Sequence, residues 1–210
     1  MDLSDEALIE SFRKTKDSNY FKSLVRRYQN RIYSAALRML GSNQEAEEVV
    51  QETYIKVHQN LDKFRRQSSF AAWVFRIAHN ICVDTLRERQ RKGGFQLVAL
   101  DPQGGGDHEE SAEGPGGVVS QVADASPCPE VELTLNEQTQ LIESSLKSLP
   151  DSQRAVIVLC DIEGFSYEEI AEIVGASVGT VRSRIHYGRL KLRELLEPYF
   201  SSSNISPVGR

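Results

Sequence analysis

Apolar residues recur every three or four positions through most of this chain, and no stretch alternates at the two-residue period of a half-buried strand. Phe21, Leu24, Val25, Tyr28, Ile32, Ala36, Leu37 and Leu40 trace one face of a long helix over Asn19–Leu40, which Gly41 stops. Before it, Ser4 caps a short helix carrying Leu8, Ile9 and Phe12. After it, a helix beginning near Ser42 or Asn43 turns Ala46, Val49, Val50, Thr53, Tyr54 and Val57 inward and Glu45, Glu47, Glu48, Gln51 and Glu52 outward. A turn over Asn60–Ser69 leads to a fourth helix, marked by Phe70, Trp73, Val74, Ile77, Ala78, Ile81 and Leu86, that runs into the basic tail Arg87–Lys92. The pattern then lapses. It resumes with Val131, Leu135, Leu141, Ile142, Leu146 and Leu149, and Asp151 caps a helix holding Val156, Ile157 and Leu159.

Ser166–Arg193 carries the most specific local pattern. Ser166 and Glu169 form a capping box that opens a short helix, whose apolar face is Ile170, Ala171, Ile173 and Val174. Gly175 supplies the permissive backbone of a tight stop. Ser177 caps a second helix with Val181, Ile185, Leu192, Leu195 and Leu196 at helical spacing, and Pro198 ends it. This is a helix-turn-helix pattern. Glu168, Glu169 and Glu172 lie on the first helix, whereas Arg182, Arg184, Arg189, Lys191 and Arg193 crowd the second. A helix entering the major groove needs short residues near its start and guanidinium groups for guanine edges and phosphates. Gly179, Thr180, Arg182 and Ser183 meet that need. An ordinary solvated helix pair accounts for any one arginine, but less well for the whole pattern.

The fold class that follows is all-α, with two small helical domains joined by a disordered acidic linker: residues 1–92, a Gly/Pro-rich linker over 93–130, a second domain over 131–200, and a tail over 201–210. The net charge of −5 is unpromising for a nucleic-acid binder until it is divided along the chain. Gly93–Ser144 holds ten acidic groups and no Lys or Arg, which leaves the rest of the chain at +5. Leu61–Lys92 alone carries eight basic and three acidic residues. Cys82, Cys128 and Cys160 are odd in number and widely spaced, as for reduced thiols in a cytosolic setting. No CxxC, HxxxH or HExxH spacing marks a metal site, and no Gly-rich phosphate loop or GxSxG marks an enzyme, so neither cofactor nor catalytic residues are expected. The acidic N-terminus lacks the blocks of a signal peptide, and no apolar run is long enough to span a bilayer.

The segments EAEEVVQETYIKV (Glu45–Val57) and FRRQSSFAAWVFRIAHNICVDTLRERQR (Phe64–Arg91), followed by LPDSQRAVIVLCDIEGFSYEEIAEIVGASVGTVRSRI (Leu149–Ile185), resemble regions 2 and 4 of an extracytoplasmic-function (group 4, sigma-E-like) sigma factor. A helix-turn-helix alone would be weak evidence; two independent blocks in the right order are strong. The resemblance implies a bacterial, cytoplasmic promoter-specificity subunit that binds core RNA polymerase, serves as an alternative stress-response factor, and is controlled by an anti-sigma partner, often membrane-anchored. Region 2 of the family docks on the polymerase clamp helices and reads the minus-ten element as separated strand. Region 4 sits on the flap and reads the minus-thirty-five element as duplex.

By position, the resemblance implies clamp binding by Glu45, Glu48, Gln51 and Glu52. A reader of single strands needs a pocket for an unstacked base and cations for the backbone. Lys63, Phe64, Arg65, Gln67 and Ser68, with Trp73, Arg76 and Asn80 sharing one helix face, are the minus-ten candidates; Trp73 is equally compatible with a core position. Ser177, Thr180, Arg182, Ser183, Arg184, His186 and Arg189 are the minus-thirty-five candidates. Arg87, Arg89 and Arg91 are candidates for phosphate contact. Two departures from the family pattern leave the promoter sequence open: Arg66 and Gln67 stand where Gly and an acid are common, and His186-Tyr187-Gly188 replaces a common Arg-Ala. An autonomous two-domain regulator is the alternative, and it would bind duplex sites without polymerase.

Overall fold

The computed structural model describes residues 3–64, 68–98 and 129–202, which form eight α-helices and no strand among the described residues. Helix α1 (Asp5–Thr15) is capped by the Ser4 hydroxyl, which accepts from the Ala7 N–H at 3.3 Å, and it buries Leu8, Ile9 and Phe12. Helix α2 (Ser18–Leu40) starts one residue earlier than the pattern predicts, because the Asp17 carboxylate accepts from the Asn19 N–H and fixes the first turn. It ends at Gly41, whose φ of 72° a side chain would strain. Helix α3 (Asn43–Asn60) is capped by Ser42, buries Ala46, Val49, Thr53 and Val57, and tightens into a 3₁₀ turn over Leu61–Lys63. Helix α4 (Phe70–Val98) begins at Ser69, whose hydroxyl accepts from the Ala72 N–H at 3.2 Å.

Three helix limits differ from expectation. Helix α4 continues to Val98, through Gly93 and Gly94, and α5 (Pro129–Lys147) begins two residues before the predicted boundary. The central part of the predicted linker, 99–128, lies outside the described residues. Asp151 does not cap α6 (Asp151–Ile157): Pro150 occupies the cap position and Asp151 pairs with the buried Arg154, which also donates to the Lys147 carbonyl. Helix α8 (Val178–Ser202) passes through Pro198 rather than stopping there. Between α6 and α7 (Tyr167–Val174) the chain makes a π-helical turn over Val158–Ile162 and then turns at Gly164, with φ 76°.

Helix α2 is the hub, packed against α1, α3 and α4 on its own side and against α5, α6 and the π-helical turn beyond. The two blocks that were expected as separate domains therefore share one buried core in this arrangement. Phe75 of α4 meets Phe165 edge-on, with ring centroids 4.9 Å apart. Arg31 of α2 lies 5.3–5.8 Å from the Tyr28, Phe75 and Phe165 ring centroids. Its Nε donates to Glu163 Oε2 at 2.9 Å and its Nη2 to the Glu163 carbonyl at 3.0 Å. The Ser69 hydroxyl donates to Glu169 Oε1 at 2.9 Å, so the carboxylate of the capping box also reaches across to α4.

Candidate nucleic-acid interface

Three faces of α4 do three jobs. Phe70, Val74, Ala78 and Ile81 enter the core of the first block, while Phe75, His79, Val83 and Leu86 turn toward the second. The third face carries Trp73, Arg76 and Asn80: Trp73 is half-buried and the other two are exposed. Phe64 is only 6% exposed, with its ring 5.1 Å from Trp73 and 5.6 Å from Phe70. The expectation that Phe64 offers an open face to an unstacked base is therefore corrected for this arrangement. Its ring is the floor on which Trp73 rests, because the Ser69 cap folds the first turn of α4 back over it. Lys63 is exposed and Ser68 half-buried; Arg65 and Gln67 lie outside the described residues. Ser69 was not among the expected contacts, although a Ser just before an apolar helical run is a legible start signal.

Glu48, Gln51 and Glu52 are exposed along α3, as their positions predicted. Glu45 is not a free surface acid: Arg89 pairs with it and donates to the Leu40 carbonyl at 2.9 Å, stapling the α2–α3 corner to α4. This also removes Arg89 from the loose basic tail, in which Arg87 and Lys92 pair with Asp84 and Glu88. Ile55, 57% exposed, shares the helical stripe of Glu48, Gln51 and Glu52 and was missed by the sequence reading. Its surroundings in sequence, Tyr54 and Val57, made it look like core.

The helix-turn-helix forms as the pattern predicts. Ser166 and Glu169 complete the capping box, Gly175 has φ 65°, and Ser177 accepts from the Thr180 N–H at 3.1 Å. Val181, Ile185 and Gly188 face inward on α8, whereas Thr180, Arg182, Ser183 and His186 are exposed. The Ser177 hydroxyl is occupied by capping and by the Thr180 hydroxyl at 2.9 Å, and Ser183 donates to the Gly179 carbonyl. Two of the expected cations point elsewhere. Arg184 is half-buried and lines the cleft between the blocks, and Arg189 donates to Asp161 (Nε, 3.1 Å) and approaches Cys160 Sγ at 3.7 Å. The Asp161 carboxylate raises the Arg189 pKa still further, so its charge is permanent but already matched.

That cleft, roughly 330 Å³, is lined by His79, Val83, Leu86, Arg87, Asp151 and Arg184 among others. His79 Nδ1 is buried without a hydrogen-bond partner. Burial lowers the His79 pKa, the Asn80 hydrogen bond opposes this, and the Arg184 charge adds to the lowering. Burial pushes the Cys82 thiol up to about 12, an inert core group; Cys160 is raised by partial burial and by Asp161. Among the described residues no three His, Cys, Asp or Glu side chains cluster as metal ligands, and no helix is long and apolar enough to cross a membrane.

Comparison with known families supplies the frame for these surfaces. The sigma-70 region 2 model matches residues 24–92, and the sigma-70 region 4 model matches residues 139–192. The chain is 36% identical over 185 residues to the ECF RNA polymerase sigma factor SigW of Bacillus subtilis, covering 87% of this chain and 92% of that protein. It is 34% identical over 197 residues to the ECF RNA polymerase sigma-E factor of Escherichia coli, covering 93% and 96%. Against the ECF sigma factor SigE of Mycolicibacterium smegmatis, 36% identical, it spans 63% of the relative's length. Among solved structures it is similar to the sigma factor RpoE bound to the anti-sigma factor NepR from Bartonella quintana, with TM-score 0.63, 25% identity, and coverage of 86% of this chain and 98% of that one. CnrH in complex with the cytosolic domain of CnrY gives TM-score 0.62 and 26% identity, covering 92% and 97%.

Proposed function

This chain belongs to the ECF RNA polymerase sigma factors, which are transcription-initiation factors and not enzymes, and from that membership we propose how its surfaces divide the work. It binds core RNA polymerase and directs it to a specific class of promoters. The face Trp73–Arg76–Asn80, with Lys63, Arg65, Gln67 and Ser68, takes the separated minus-ten strand, and Phe64 supports Trp73 from below. Thr180, Arg182, Ser183 and His186 enter the minus-thirty-five major groove; Ser177 contributes by capping the helix that carries them. Glu48, Gln51, Glu52 and the exposed Ile55 meet the polymerase clamp.

The observation that carries this reading is the joint presence of two DNA-facing helices, α4 and α8, in one chain that matches both sigma regions. Run-off transcription from genomic fragments, with core polymerase and with or without this protein, tests it. Promoter-dependent transcripts only in its presence are expected. A tight footprint by the free chain, with no transcript in the presence of core polymerase, would establish an autonomous regulator instead.

Control by an anti-sigma partner is the second part of the proposal. The fold likeness is to two sigma factors solved with such partners, and here the two regions are packed together through Phe75, Phe165, Arg31 and Glu163. A cytoplasmic partner domain that favours this packed form would hold the chain off polymerase, and a membrane-embedded partner would hold it at the membrane. Co-purification from the native cell, with membranes separated from the soluble fraction, checks both statements: recovery of the chain without any partner, from the soluble fraction alone, contradicts them.

A further inference from the structure

Arg13 sits on α1, eleven residues before the matched region 2 begins, yet its guanidinium ends at the entrance to the minus-ten turn. Arg13 Nη2 donates to the carbonyls of Leu61 at 2.6 Å and Phe64 at 2.7 Å, with the Asp62 carbonyl at 3.3 Å. These oxygens lie where α3 runs out through its 3₁₀ turn, so they belong to the carbonyls that a helix end leaves without intrahelical partners, at the negative pole of the helix. A guanidinium is suited to this task because one planar group directs several donors at fixed angles, whereas an ammonium is a single point charge.

The arm that presents Arg13 is itself fixed. Asp5 of α1 accepts from Arg27 and from the Tyr28 hydroxyl of α2, and Phe12 packs against Phe21 and His58. Lys16, in the left-handed conformation that ends α1, adds a 3.2 Å contact to Asp62. What the clamp holds is Leu61–Phe64: the backbone of the exposed Lys63, and the ring that lies under Trp73.

We infer that Arg13 is a positioning residue for minus-ten reading, acting through the Leu61–Phe64 backbone on Lys63 and on the Phe64–Trp73 stack. The inference rests on the sigma-factor reading above and adds to it a determinant outside the matched regions. Side chains that select bases must be held by supporting hydrogen bonds, or selectivity falls before folding does. No DNA contact by Arg13 is required.

The test uses the full chain with core polymerase on promoters varied singly across the minus-ten element. Arg13→Met keeps the apolar stem and removes the donors. It should lower open-complex formation about tenfold, the scale of a lost charged hydrogen bond, and flatten base preference in the minus-ten element. A fork template with the strand already exposed should rescue little, and core affinity and minus-thirty-five preference should change by less than about twofold. Arg13→Lys should recover part of both effects, and it keeps the test decisive if the Met variant does not fold. Unchanged base preference in either folded variant overturns the inference, as does a parallel loss of core affinity, minus-thirty-five preference and thermal stability, which would mark a purely structural role. A wild-type chain that gives no promoter-dependent transcript overturns the sigma-factor reading, and with it this inference.

Discussion

Gly188 shows at the scale of one residue how packing reverses a propensity argument. On propensity alone, glycine within a helix costs about 1 kcal/mol relative to alanine, so Gly188→Ala should stabilise α8. A Cβ at this position, however, would lie 2.9 Å from Ile157 Cγ1 and 3.2 Å from its Cδ1. Overpacking of this kind costs about 1–3 kcal/mol. Gly188→Ala is therefore expected to be neutral to destabilising by up to about 2 kcal/mol, read by urea unfolding of the full chain. A clear gain in stability would show that Ile157 gives way without cost. Arginines on the same helix separate by partner rather than by charge. Arg182 is exposed on the face proposed for DNA, and Arg182→Ala should cost about 1–3 kcal/mol at one minus-thirty-five position and relax preference there. Arg189 already has Asp161, so Arg189→Ala should leave the salt dependence of promoter binding nearly unchanged and alter stability by less than about 1 kcal/mol. Promoter binding measured across a salt series discriminates the two; a fall of about one in the salt slope for Arg189→Ala would restore the phosphate contact to it.

At the scale of the element, α4 depends on a cap that also joins the two blocks. The Ser69 hydroxyl accepts from the Ala72 N–H and donates to Glu169, the same carboxylate that closes the capping box of α7. Ser69→Ala should lower stability by about 0.5–2 kcal/mol, the ordinary range for loss of a helix cap, and should fray the first turn beneath Trp73. Amide hydrogen exchange over Ala71–Trp73 is the direct measure, and unchanged protection there would show that Phe70 packing alone holds the turn. The helices and their caps were readable in advance because Ser4, Ser42, Ser166 and Ser177 each act within three residues of their own position. Asp151 failed as a predicted cap for a non-local reason. Arg154 is buried against the Lys147 and Leu149 carbonyls, and it draws the carboxylate to itself.

For the whole molecule, the contacts between the blocks set two expectations. Arg31 is the cationic centre of a ring of aromatics and holds Glu163, whose side chain is only 5% exposed. Because Arg31 itself is 41% exposed, the effect of Arg31→Ala is discounted to about 1–3 kcal/mol. It should appear as a larger radius of gyration by small-angle scattering, since the helices within each block keep their own cores. An unchanged radius would mean that Phe75 and Phe165 suffice. The second expectation is a pH dependence. The native pKa of His79 is below its ordinary value of 6.5, so the unfolded or separated chain binds more protons just below that pH. The stabilisation that comes with neutral His79 is complete above about pH 6.5 and is lost as pH falls toward the lower native value. Arg87 and Arg184 across the cleft act in the same direction, and Asp151 opposes them. Packing between the blocks should therefore loosen on acidification from pH 7.5 to 5.5, and His79→Asn should remove that component; scattering profiles of both proteins over this range decide it.

The sequence by itself determined the helical class, the helix order, the capped helix-turn-helix and the two family regions, because periodicity and capping are local properties of the chain. It also placed Arg182, Thr180, Ser183, Arg76 and Asn80 on exposed faces, since each lies opposite a clear apolar stripe. Only the tertiary structure decided which charges are free. Arg89 turned out to be spoken for by Glu45, Arg189 by Asp161, and Arg184 faces a cleft, all partners 28 or more residues away or on another helix. Phe64, Ile55 and Gly188 were likewise settled by neighbours remote in sequence: the Trp73 and Phe70 rings, the absence of a covering helix over one stripe of α3 in this arrangement, and Ile157. The physical reason is common to all of them. A side chain's type and spacing limit the face it occupies, but whether that face meets solvent, core or a counter-charge is a property of the packed chain.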